Sequence, residues 1–229
     1  MKIWYDNSQI KQRMSFILKQ AEKNRLSKEL IIKASIPAFA QKEFNEVSLN
    51  DVCRGNNITK GKLYHHFSSK EELYYACIND ALVRLYDDML SFKVKKDGDY
   101  SNGFHTYYED RIDYWMKNPD DLLLIKYALD NFSKKEYMNI KEEHSKVRDA
   151  MKIKTMEIID TSQNLSPKIS VDDLYVVMQL VYEKTFMSQI KKIVLCQNQG
   201  DMESAYERKQ TLLDMYDKLI YIMLHGILA

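Results

Sequence analysis

The 229-residue sequence is poor in the residues that turn a chain, with 6 glycines and 3 prolines. That is far below ordinary usage. An all-β sandwich or barrel needs a turn signal about every 8–12 residues and is excluded. The 3 cysteines, Cys53, Cys77 and Cys196, are far apart and odd in number. They suit buried thiols in a reducing compartment, not a disulfide framework. No run of about 18 apolar residues could span a membrane. Met1–Trp4 carries no basic stretch leading into a short apolar run, so no secretory signal is read and the expected location is cytoplasmic. A disordered chain is excluded too, because 45% of residues are hydrophobic and 11% aromatic.

Charge is present but unevenly placed. Residues 1–77 hold 13 Lys/Arg against 8 Asp/Glu, while 78–229 hold 21 against 25. A basic first third on a mildly acidic remainder suits a polyanion-binding head on a body with another task.

Helical periodicity runs through most of the chain, so the expected fold is all-α. Amphipathic stretches are read over 8–25, with Ile10, Met14, Ile17, Leu18 and Ala21 on one face, and over 28–44, where Pro37 should kink or start the helix. Further helices are read at 69–92, 104–117, 120–132, 134–163, 171–197 and 203–228. Lys93–Gly103, Asn118-Pro119, Ser133, Ser166-Pro167 and Gln197–Asp201 mark the breaks.

Between the second and third of these long helices lie two short ones. Ser48 can cap Leu49–Arg54 with Asp51 three residues on, and Thr59 can cap Lys60–His66. Asn56-Asn57 between them tolerates the left-handed backbone of a tight turn. Ser68 and Ser69 can cap the helix that follows, with Glu71 and Glu72 at the right offsets. Two seven-residue helices joined by a tight turn form a helix-turn-helix. Val52, Cys53, Ile58 and Leu63 would pack on Phe39, Phe44 and Phe67. Thr59, Lys60, Lys62, Tyr64 and His65 would then face outward as donors for phosphates and base edges. Gly61 would let the backbone approach closely. Lys70 opposes the dipole of its own helix, and a phosphate partner would account for it.

The segments Ala34–Phe44 (ASIPAFAQKEF), Ser48–Cys53 (SLNDVC) and Ile58–Leu73 (ITKGKLYHHFSSKEEL) resemble the DNA-binding domain of the tetracycline-repressor (TetR) family. The resemblance covers about residues 27–77. It implies a homodimeric regulator of transcription, usually a repressor, which binds a near-palindromic double-stranded DNA operator. It also implies a helical C-terminal domain that dimerises and binds a small effector. Carried over, Lys60, Gly61 and Lys62 fall where family members touch bases, and Tyr64 and His65 where they touch bases or backbone. Lys70 falls where a lysine meets phosphate, and Ser48 and Asn50 where the first helix meets backbone or groove edge. Glu43, Asn56-Asn57 and Pro37 depart from the family pattern and concern backbone geometry. The domains expected are an extension over 1–26, the head over 27–77 and the effector-binding and dimerisation body over 78–229. The extension carries 6 basic and 2 acidic residues, and reads either as a DNA-touching arm or as a solvated helix packed on the body, with the second favoured.

Enzyme chemistry finds no support. His65 and His66 are adjacent and do not share a helix face. His105, His144 and His225 lack partners at metal spacing, and no phosphate loop, GxSxG or HExxH is present. No cofactor, metal site or catalytic residue is therefore expected. The body is rich in Met and aromatic residues, which suit an adaptable apolar pocket. Tyr107, Trp115, Tyr127, Met151, Tyr175, Met178 and Tyr182 are the expected ligand-binding residues. The stretches 171–197 and 203–228 carry apolar stripes wide enough for a homodimeric four-helix contact. The alternative is a DNA-binding dimer controlled by a protein partner, or by no effector.

Overall fold

The computed structural model describes residues 7–95, 99–160 and 170–225, and all regular structure among them is helical. The chain divides into two compact units, Met1–Cys77 and Ile78–Ala229. The breaks expected at Lys96–Gly98 and Ser166-Pro167, the first six residues and the chain beyond His225 lie outside the described residues.

The first unit opens with α1, Asn7–Gln41, a single helix where the sequence suggests two. Asn24–Ser27 contains no breaker, and Arg25 ties the expected junction together by pairing with Glu22 at 2.6 Å and Glu29 at 2.5 Å. These (i, i+3) and (i, i+4) pairs span successive turns. Pro37 neither starts nor ends the helix. Its ring lies exposed, so the carbonyl it deprives of a partner can turn to water. Phe44 falls outside α1, in the 3₁₀ turn Phe44–Glu46.

Ile32, Ser35, Ile36 and Phe39 of α1 are buried, at the i, i+3, i+4, i+7 spacing of one helix face. Ser35 Oγ donates to the Ile31 carbonyl at 2.7 Å, which satisfies its hydroxyl in the core. Met14, Ile17, Leu18 and Ala21 continue the same face toward the N-terminus, yet all are exposed, as is every residue from 13 to 26. The favoured reading of this stretch as packed on the body is therefore corrected: nothing in the chain covers it.

Helix α2 is Leu49–Gly55 and α3 is Lys60–His66. Both caps form, with Ser48 Oγ accepting from Asp51 N at 3.3 Å and Thr59 Oγ1 from Lys62 N at 3.1 Å. Asn57 has φ of 54°, the left-handed turn residue between them. Val52, Cys53, Ile58, Leu63 and Phe67 are buried with Phe39. Phe39, Phe44 and Tyr74 close the cluster, with ring centroids 5.0–6.2 Å apart. Helix α4, Lys70–Ser91, begins in this unit and ends in the next. Ser69 Oγ caps it on Glu72 N at 3.1 Å, while Ser68 N and Oγ both donate to Glu72 at 2.7 Å.

The second unit is built around α5, Tyr100–Lys117, capped by Asp99. Gly103 lies inside α5 instead of in the expected break. A Cβ there would stand 2.9 Å from Ile158 Cγ2, so the missing side chain lets the first turn of α5 pack tightly on α8. Helix α6, Pro119–Asn131, starts on its proline, which costs no intrahelical bond at that position. The expected helix over 134–163 is two pieces, α7, Lys134–Tyr137, and α8, Lys141–Asp160. Ser133 and Glu136 form a reciprocal capping box that starts α7. The stretch 171–197, read as one helix, is α9, Val171–Val181, then a π-helical turn, Tyr182–Phe186, then α10, Met187–Asn198. Gly200, with φ of 82°, turns the chain into α11, Met202–His225. Buried Asp121 takes both arms of Arg84, at 2.7 and 3.1 Å. Lys209 of α11 reaches Asp113 and Glu109 of α5, at 2.7 and 3.2 Å.

Candidate functional site

The α3 helix is held from beneath by Leu63, which is fully buried. At 3.6 residues per turn a single anchored position fixes which side chains face away. Thr59, Lys60, Gly61, Lys62, Tyr64 and His65 are all exposed. On α2, Asn50 is exposed and Ser48 half-buried. Nothing lies within 4 Å of a Cβ built on Gly61, so a flat partner could approach the backbone there. Cationic and hydroxyl donors thus share one surface. His66 turns away from it, its Nε2 2.9 Å from Ser27 Oγ. Partial burial and the nearby charges of His65, Lys28 and Lys62 hold His66 below the usual imidazole pKa.

Lys70 differs from the other cations expected at this surface. Its Nζ donates to Val47 O at 2.9 Å and Asn45 O at 3.4 Å, and lies 4.5 Å from the centre of the Phe44 ring. These contacts tie the 3₁₀ turn to the start of α4. They account for a lysine against the helix dipole without any phosphate.

The second unit holds a nearly closed cavity of about 30 Å³, lined by Leu82, Ile125, Met151 and Met187 among others, with Trp115 and Tyr182 at its polar side. Trp115 Nε1 donates to Tyr182 Oη at 3.3 Å. Of the seven expected ligand residues, Trp115, Met151 and Tyr182 line this space. Tyr107 is fully buried one helical turn from Arg111, outside the lining. Tyr175 spends its hydroxyl on the Arg148 carbonyl at 3.0 Å. Met178 is core and Tyr127 is 41% exposed, so neither belongs to the cavity.

Three polar residues at the cavity were not foreseen: His144, Arg148 and Glu183. His144 accepts from or donates to Tyr137 Oη at 2.8 Å, and burial holds its pKa below the usual value. Neutral His144 can accept the tyrosine proton at Nδ1. Arg111 was missed as well. It is wholly buried, bonded through Nη2 alone to Asp88 at 2.5 Å and to Asp110. Its position four residues after Tyr107 and four before Trp115 was a usable signal. Among the described residues no group of three or more His, Cys, Asp or Glu could hold a metal ion, and no helix is long and apolar enough to cross a membrane.

Residues 31–77 match the family described as bacterial regulatory proteins, tetR family. The chain belongs to the TetR family. The match spans α3 and both of its flanking caps. Among curated TetR-family relatives and their neighbours, the chain is 37% identical over 71 residues to the biofilm operon icaADBC negative transcriptional regulator IcaR of Staphylococcus epidermidis, covering 28% of this chain and 38% of that one. It is 26% identical over 110 residues to the transposon Tn10 TetC protein of Escherichia coli, covering 47% and 53%. The matched region thus spans about half or less of these relatives. Solved structures extend the likeness in fold. FadR from Bacillus subtilis, in complex with stearoyl-CoA, superposes with a TM-score of 0.58 at 11% identity, over 87% of this chain and 98% of that one. NemR of E. coli, in its reduced form, gives 0.58 at 12%, over 84% and 96%. The all-α architecture with an N-terminal helix-turn-helix is that of the TetR family.

Proposed function

We propose that the protein is a homodimeric DNA-binding repressor of transcription, released from a near-palindromic operator by a small effector. The observation that carries this reading is the exposed row Thr59, Lys60, Lys62, Tyr64 and His65 on a helix locked by Leu63. A relative named as a negative regulator supports the sign of the effect. Binding to a short duplex should weaken steeply with salt, because each neutralised phosphate releases counterions. The test is selection of genomic fragments followed by fluorescence anisotropy. A preferred site with two half-sites about one helical turn or a multiple apart is expected, and absence of any preferred site overturns the reading.

The dimer is supported by apolar side chains that nothing in the chain covers. Val176, Val177 and Leu180 are exposed on α9, and Met215 and Ile222 on α11. A second copy pairing the same helices would bury them as a four-helix contact. Leu180→Asp and Ile222→Asp should then yield monomers in sedimentation at micromolar concentration.

The effector would enter the cavity of the second unit, and α4 would carry the signal, since it starts beside the recognition helix and ends in that unit. A hundredfold loss of DNA affinity needs about 2.7 kcal/mol of coupling, and DNA must weaken effector binding equally. The second reading, a DNA-binding dimer with no effector, is favoured by the small free volume, about 30 Å³. Titrating a binder with and without operator separates the two.

A further inference from the structure

Beside the cavity, the core of the second unit contains hydrogen-bond donors that have no acceptor. Arg111 Nε and Nη1, Tyr107 Oη and Tyr108 Oη are buried without a hydrogen-bond partner. So is Arg148 Nε, on a residue that lines the cavity itself. Tyr107, Arg111 and Trp115 stand at i, i+4 and i+8 on α5, so they form one stripe, and all three are fully buried. Trp115 at one end of that stripe lines the cavity, and so does Tyr182, whose hydroxyl it meets. The Arg111 guanidinium lies 5.6 Å from the centre of the Tyr107 ring, and Tyr107 and Tyr108 meet edge-to-face at 5.6 Å. Burial holds both phenols above their ordinary pKa, so they keep their protons and remain able to donate.

Buried donors are costly to leave unmade, and native cores rarely contain several together. The deficit here is of one kind: acceptors are missing. The local charge decides what sort of acceptor would fit. Arg111 already faces Asp88 and Asp110. At the cavity, Arg148 stands with Glu183. Two arginines therefore meet three carboxylates. A carboxylate or phosphate ligand would add a fourth negative charge to a desolvated site, which is unfavourable without a further cation. An amine would bring charge of the right sign but only donors where acceptors are lacking. A plain hydrocarbon would leave every donor unpaired.

We infer that the effector is a neutral molecule with an apolar body and at least one carbonyl oxygen, an ester, lactone or amide, whose oxygen accepts from Arg111, Tyr107 and Tyr108 while its body fills the cavity beyond Trp115. This deepens, and rests on, the effector half of the proposed function. The apolar walls Leu82, Ile125, Met151 and Met187 suit that body. Methionine side chains are unbranched and can swing aside. The π-helical turn Tyr182–Phe186, which carries Tyr182 and Glu183 to the cavity, is the kind of local irregularity often found at functional sites.

The experiment uses three probes with equal tails: methyl octanoate, octanoate and octylamine. The protein has 2 tryptophans, Trp4 and Trp115. The full chain carrying Trp4→Phe therefore reports on the cavity alone through fluorescence. At pH 7.5 methyl octanoate should bind at least about tenfold more tightly than either charged probe, the worth of one or two hydrogen bonds in a dry site. The double variant Tyr107→Phe/Tyr108→Phe removes only hydroxyls that are unpaired without ligand. It should be at least as stable as the parent to urea, yet lose about tenfold in affinity for methyl octanoate. Equal or tighter binding of octanoate or octylamine overturns the inference. So does an unchanged affinity in the double variant, or failure of all three probes to bind. DNA binding is measured in parallel on the same preparations. If no probe binds while a preferred duplex is still held, the ligand class is wrong and the DNA-binding reading stands. If methyl octanoate binds with the stated preference but no duplex is preferred, the ligand class stands and the repressor reading falls.

Discussion

The head and the body both present hydrogen-bond donors without partners, but in opposite settings. Those of α3 stand in water, where an unpaired lysine or histidine costs nothing until a polyanion arrives. Those of α5 are sealed in a core, where the absence of an acceptor is itself a cost. A surface of the first kind can wait for its ligand at full stability. A core of the second kind trades stability for a site, which a larger unit with more buried side chains can tolerate. The size of the two units sets how each responds to damage.

The largest expected effect tests that difference. Leu63 in the head and Leu124 in the body are both fully buried, so either change to alanine should cost about 2–5 kcal/mol. In the head, built from only some 50 packed residues, that cost should exceed the margin. Leu63→Ala should lose the first step of a urea unfolding curve followed by circular dichroism, and lose DNA binding with it. Leu124→Ala should shift the second step and leave a folded protein. Equal responses would mean that the two units do not unfold separately.

Two glycines sharpen the contrast at intermediate size. A Cβ on Gly103 meets Ile158 Cγ2 at 2.9 Å, and Ile158 is β-branched and buried, so it cannot easily give way. Gly103→Ala should destabilise the body by about 1–3 kcal/mol. Gly61 has open space around it within a helix, so Gly61→Ala should stabilise the head by about 0.5–1 kcal/mol through helix propensity. The same methyl group should nonetheless weaken DNA binding, by blocking close approach of the backbone. Thermal melts and anisotropy on the two variants check both signs.

Helix caps come next. Thr59→Ala removes the acceptor for Lys62 N and should cost about 1 kcal/mol, seen as a lower midpoint for the head alone. This element was legible in the sequence because its code is local: Ser48, Thr59 and Asn57 act on backbone atoms two or three residues away. The body was legible only as helices. Its apolar period predicted α6 and α11 well. The π-helical turn at Tyr182, by contrast, leaves the hydrophobic period almost intact. The split of 134–163 into α7 and α8 turned on a capping box whose Glu136 was overlooked. Arg111 and Arg148 escaped notice because buried charge depends on what other helices bring near, which no local pattern carries. Lys70 shows the converse: the conflict with the helix dipole was real, but its resolution was a pair of carbonyls 23 and 25 residues away.

The smallest expected effect is on pH, and it separates the two regions once more. His144 in the body and His66 in the head both have folded-state pKa values below the ordinary imidazole value, His144 chiefly through burial, His66 through burial and then His65, Lys28 and Lys62. A depressed folded pKa means that the unfolded chain binds more protons at mildly acid pH. The stabilisation is therefore complete above the unfolded value of about 6.5 and is lost as pH falls through the folded one. Both units should melt lower at pH 5.5 than at pH 7.5, and His144→Gln should flatten the dependence for the body. Bound DNA should reverse the sign for the head only. Phosphates near His65 and His66 favour the protonated rings, so the complex takes up protons and DNA affinity should rise as pH falls toward 6. Anisotropy at a fixed salt concentration, with His66→Gln beside the parent, reads this directly. A parent whose DNA affinity falls on acidification would place these histidines away from the phosphate backbone.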